Sequence, residues 1–154
     1  MAKYAAQTEV SVEKSRAEIE KLITRYGATS TAFMNSPARS MIMFEASGRR
    51  VMFELPLPDL HGHQFDKDGR GTRRTPDKRR TAWEQACRQR WRALALVIKA
   101  KLEAVESGIT TFEDEFMAHI VMPDGMTVAQ HVRPRIASAY ENNEMVPLLP
   151  GPST

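Results

Sequence analysis

Residues 29–58, TSTAFMNSPARSMIMFEASGRRVMFELPLP, decide the fold. Along them apolar residues recur with the period of a strand, in Ala32-Phe33-Met34, then Met41-Ile42-Met43-Phe44-Glu45, then Val51-Met52-Phe53-Glu54-Leu55. Ser36-Pro37 and Ser47-Gly48 separate the runs as turns, and Pro56 and Pro58 end them because neither can donate a ladder hydrogen bond. The pattern predicts three short antiparallel strands. Ile42 and Phe44 then share one face with Val51, Phe53 and Leu55, while Met41, Met43, Met52, Glu45 and Glu54 take the other. Glu45 and Glu54 are expected opposite each other across the hairpin, as a surface carboxylate pair without a cleft to work in.

On either side of this sheet the period becomes helical. Upstream, Ser11 to Tyr26 reads as a helix: Ser11 caps it, Val12, Ile19, Leu22 and Ile23 form its apolar stripe, and Gly27 supplies a left-handed C-terminal cap. Downstream, Thr75-Pro76 opens a helix that runs to Glu106 and stops at Ser107-Gly108, a length of roughly 40 Å. Trp83, Cys87, Trp91, Leu94, Ile98, Leu102 and Val105 make its buried stripe, with Arg80, Glu84, Arg88, Arg92, Lys99 and Glu103 on the opposite, solvated face. Thr110 and Glu113 are expected to form a capping box for a short helix through Val121. Thr127 then caps a last helix to about Asn142, with a kink expected at Pro134. The chain reads as an α+β single domain over residues 1–154, in the order α-β-β-β-α-α-α. A small antiparallel three-stranded sheet is packed by helices, residues 59–78 form a flexible basic loop, and residues 146–154 an extended tail.

Composition limits the functions open to such a chain. With 154 residues, 42% hydrophobic and 27% charged, it is sized and balanced for one self-sufficient globular domain. Its one cysteine, Cys87, falls inside a helical pattern, which excludes an intrachain disulfide and points to a packed thiol in a reducing compartment. No signal stretch opens the chain, and no apolar run approaches the ~20 residues of a membrane span, so the expected location is the cytoplasm, with no membrane partner.

The segment from Lys67 to Arg92 departs from this ordinary pattern. It holds ten basic residues against three acidic ones, a local net charge of +7, whereas the whole chain carries +3, leaving −4 for the rest. A one-sided positive field of this kind attracts polyanions. Lys67, Arg70, Arg73, Arg74, Lys78, Arg79, Arg80, Arg88 and Arg92 are therefore the candidate nucleic-acid-binding residues, in a loop where Gly69 and Gly71 let the backbone follow phosphates. The alternative for this run is a solvated helix face with Glu84 pairing Arg88. Trp83 and Trp91 lie near enough to stack bases, but their place on the stripe of Leu94 and Ile98 favours core packing.

His61 and His63, with Asp59, Asp66 and Asp68, are the one grouping that suggests a divalent cation. Their order matches no hydrolase motif. His119 and His131 read as structural histidines of the C-terminal helices. No P-loop, nucleophile elbow or dinucleotide fingerprint is present, so no catalytic residue, cofactor or metal is assigned.

The stretches VSVEKSRAEIEKLITRYGA, FELPLPD and AWEQACRQRWRALALVIKAKLEAVESGITTFEDEFMAHIVMPDG resemble an uncharacterised family of small bacteriophage and prophage proteins. The resemblance implies a bacterial host cytoplasm and carries over no functional residue. The order of helix, three strands and helix also resembles that of double-stranded RNA-binding domains, in topology alone.

Taken together, these readings point to a non-enzymatic nucleic-acid-binding protein, for DNA or RNA. The alternative is an interaction module or inhibitor that holds an acidic host protein, using the same basic face, adaptable methionines and the tail. A remote third reading is a metal-dependent nuclease centred on His61 and His63. A homo-oligomer is expected as well. Ala86, Ala93, Val97, Ala100 and Ala104 form a second small-residue strip on the long helix, Leu96 lies on neither strip, and the methionine face of the sheet lacks a cover in two layers.

Overall fold

The computed structural model describes residues 5–152 and contains four helices and one sheet. Helix α1 spans Val12–Arg25, β1 Ser30–Asn35, β2 Arg39–Ala46, β3 Arg49–Pro56, α2 Pro76–Glu106, α3 Phe112–Phe116 and α4 Val128–Asn142. This is the α+β order that the periodicity predicts.

The sheet is antiparallel in the order β1-β2-β3. Ile42 pairs with Phe53 and Phe44 with Val51, so the expected inward face forms. Ser47 and Gly48 both take positive φ, 51° and 71°, the two-residue turn whose twist matches that of the flanking strands. Glu45 and Glu54 do not face each other. The register sets Glu45 against Arg50 and Glu54 against Met41, and each carboxylate pairs with an arginine instead, Glu45 with Arg50 at 3.2 Å and Glu54 with Arg39 at 3.4 Å.

Both long helices lie on the inward face. Ser11 accepts the Lys14 amide to start α1, and Gly27, at φ 98°, ends it. Helix α2 starts with Thr75 as cap and Pro76 in its first turn, as predicted. Its buried residues are Cys87, Trp91, Leu94, Ala95, Ile98 and Leu102, and all of them but Cys87 join the core of Ile19, Ile23, Ile42, Phe44, Val51 and Phe53. Trp91 is 2% exposed, which confirms it as core. Its ring meets Phe33 at 6.5 Å, and the Arg16 guanidinium lies over both rings.

Three cross-links show that α1 and α2 run parallel. Gln85 donates to the carbonyls of Ala6 and Thr8, Arg92 pairs with Glu18, and Tyr26 donates to Glu103. The sequence offset between partners stays nearly constant, between 74 and 79 residues. The segment leading into α1 therefore passes alongside Gln85 at Ala6 and Thr8, and the first turns of α2 extend beyond the start of α1. This packing revises the face expected to be solvated: Arg88 and Arg92 are half-buried toward α1, and Arg88 donates to Gln85 rather than pairing with Glu84.

The C-terminal third closes the far end of the core. Thr111 caps α3, whereas a Thr110–Glu113 capping box was expected, and the helix lasts only to Phe116 before a 3-10 turn at Met117–His119. Phe116 is fully buried, with its ring edge-on to Phe44 and Phe53 at 6.0 and 6.1 Å. Ile120 then bridges Val51 and lengthens the sheet beyond β3. His119 is structural: it stacks on Phe53 at 4.0 Å and hydrogen-bonds the backbone of Met52. Burial, aided by Lys101, holds its pKa below the ordinary histidine value. Met52 is buried, although the methionine face was expected to lack a cover, while Met34, at 58% exposure, leaves the outer face of the sheet open along β1.

Thr127 and Gln130 form a capping box for α4, and Asn143 ends it in the left-handed conformation. Pro134 stays within the helix. Among the described residues, none of α4 is buried.

Candidate nucleic-acid interface

Residues 59–75 lack a long element but are built by their own aspartates. Phe65 is buried and anchors a 3-10 turn at His63–Phe65. The Asp68 carboxylate accepts the amides of Arg70 and Thr72, each at 2.9 Å, and its own amide donates to the Thr72 carbonyl. Gly71 takes φ 83° within this turn, a conformation that suits glycine. Lys67 then bridges Arg73 in a minimal antiparallel pair. The Asp66 carboxylate holds His63 and Arg79, and the Asp66 carbonyl accepts the Arg74 amide. Both carboxyls sit below the ordinary aspartate range. For Asp66 the causes are the bonds from His63 and Arg79, and for Asp68 the amides of Thr72 and Arg70.

This frame delivers a basic cradle at the overhanging start of α2. A cavity of about 440 Å³ is lined by Leu60, His61, Arg73, Arg74, Pro76, Asp77, Arg79 and Arg80. Because α2 starts here, the positive end of its dipole faces the same region, although Pro76 has no amide to offer and Thr75 caps that of Lys78. Among the described residues, Lys67, Arg70, Arg73, Arg74, Lys78 and Arg80 make no side-chain ion pair. These six cationic side chains belong to one turn and the helix start that follows it, with the Asp68 carboxylate close enough to Arg74 and Lys78 to interact with both.

The structure therefore divides the nine candidates. Arg73, Arg74 and Arg80 line the cradle, Arg79 joins them as a strut tied to Asp66, and Lys67, Arg70 and Lys78 stand on the same turn and helix start without lining it. Arg88 and Arg92 lie further along α2, where they bond to Gln85 and Glu18. Trp83 is half-buried, and its indole donates to the Pro58 carbonyl at 2.7 Å, fastening the loop to α2. Cys87 is buried, and desolvation raises its thiol pKa, which favours the protonated thiol. His61 and His63 gather no metal site: among the described residues, no three or more His, Cys, Asp or Glu side chains converge as ligands. No helix among them is long and apolar enough to cross a membrane.

The residues that sequence reasoning missed are Asp66 and Asp68. In the sequence their carboxylates read as cation ligands beside His61 and His63, yet they organise the arginine turn. The Asp-Gly-x-Gly spelling at Asp68-Gly69-Arg70-Gly71 was the available signal, since aspartate and glycine together favour such side-chain-to-backbone turns. Comparison with known protein families, curated proteins and solved structures finds no match for this chain.

Proposed function

We propose that this protein binds nucleic acid, without catalysis, through the cradle lined by Arg73, Arg74 and Arg80 together with Lys67, Arg70 and Lys78 on the same turn and helix start. The observation that carries this reading is the convergence of four arginines, Arg73, Arg74, Arg79 and Arg80, around a cavity at the N-terminus of a 31-residue helix. Guanidinium groups suit phosphate oxygens, and a cluster of several neutralises a run of phosphates rather than one ion. Asp66 and Asp68 fix the turn beforehand, so less ordering entropy is lost on binding. A bacterial host cytoplasm, implied by the phage-family resemblance, accords with a buried, reduced Cys87. The test is a mobility-shift titration with single- and double-stranded DNA and RNA at two salt concentrations. Salt-dependent binding to at least one form is expected, and no binding to any of them at low salt contradicts the proposal.

A further inference from the structure

Helix α4 has a complete set of local start and stop signals and no buried residue. Val128, Val132, Ile136 and Tyr140 nevertheless recur at every fourth position, the stripe of a helix meant to pack. Ile136 is 44% exposed and Tyr140 87%. Val128 and Val132 are half-buried at the start of the helix, so it is the later part of the stripe that lacks a partner surface. The stripe borders an open groove of about 480 Å³, with Met117 and Ala118 on one wall and Val128, Val132 and Ile136 on the other. Its rims carry opposite charge. Asp114 stands on the α3 side and Arg133 on the α4 side, and among the described residues neither makes an ion pair.

A groove with one acidic and one basic rim complements itself. A two-fold axis along the groove turns each acidic rim onto a basic one and sets the α4 stripes side by side. An axis across it would place like charge on like. We propose that this groove is the interface of a homodimer in which the two α4 helices pack in parallel, Arg133 of each copy against Asp114 of the other. This relocates the expected oligomer contact from the Ala86–Ala104 strip and the sheet methionines to the C-terminal helix. It also leaves the arginine cradle free, because α3 packs near Lys101, at the opposite end of α2. The inference does not depend on the nucleic-acid reading.

Light scattering after size exclusion tests it on the full chain. The wild type is expected at twice the chain mass at micromolar concentration. Val132→Asp with Ile136→Asp should halve that mass while retaining the tryptophan emission of a folded core, since neither residue is buried. Asp114→Arg should weaken association about tenfold, and adding Arg133→Asp should restore it. A wild-type monomer at every concentration, or a dimer that survives Val132→Asp with Ile136→Asp, overturns the interface. Failure of the paired charge reversal to restore association overturns the parallel arrangement.

Discussion

Helix α2 places arginines in two settings that differ by only two or three turns. Beyond the start of α1, Arg80 makes no ion pair among the described residues and lines the cradle. Alongside α1, Arg88 and Arg92 are half-buried and bonded to Gln85 and Glu18. The residue type and the helix are the same, and what separates the two sets is where the neighbouring parallel helix begins. Local charge density therefore overstates the interface: the +7 of residues 67–92 includes charge spent on holding α1 to α2. The two tryptophans divide the same way, with Trp91 sealed in the covered stretch and Trp83 at its margin.

The largest effect that sharpens this contrast is on stability. Trp91→Ala should cost ~3 to 5 kcal/mol in chemical denaturation, and Trp83→Ala well under half of that. Equal losses would erase the distinction between covered and overhanging turns. Next comes the arginine pair. Arg92→Ala removes the partner of Glu18 and should cost about 1 kcal/mol, whereas Arg80→Ala should leave the unfolding midpoint unchanged and weaken binding. An Arg80→Ala variant less stable than Arg92→Ala would contradict the assignment.

The smallest effects concern pH. His119 has a lowered pKa in the folded state, so its contribution is complete above the ordinary histidine value and declines as pH falls below it. His119→Gln should shrink the loss in melting temperature between about pH 7.5 and about pH 5.5. Asp66 and Asp68, also lowered, should keep the arginine turn ordered until pH falls past the ordinary carboxylate range toward their folded values. Amide exchange at Arg70 and Thr72 reads this directly, and protection lost already at neutral pH would refute the role of Asp68.

Most of the fold was legible because it rests on local signals. Alternation fixed the strands and their inward face, and Ser11, Thr75-Pro76 and Thr127 marked three helix starts that the structure keeps. Errors arose where tertiary packing decides. The solvated face of α2 was misjudged because periodicity gives one apolar stripe but not a second neighbour such as α1. The Glu45–Glu54 pairing failed on strand register, which the Ser47-Gly48 turn sets. Thr111 displaced Thr110 as cap, a one-residue ambiguity common at helix ends. At the site, the cations could be read from sequence. Which of them are free could not, because Glu18 and Gln85 lie far from the loop in sequence or on the covered flank of the helix.

The central claim is that the overhanging cations, and not those beside α1, meet phosphate. The direct measurement is the slope of log affinity against log salt for the wild type and for a variant with Arg73, Arg74, Lys78 and Arg80 changed to Ala, keeping Arg79 because it props the loop through Asp66. Each phosphate contact contributes ~0.7 to 0.9 to that slope, so the variant should lose about three units at an unchanged melting temperature. A slope unaltered by the four substitutions would contradict the account.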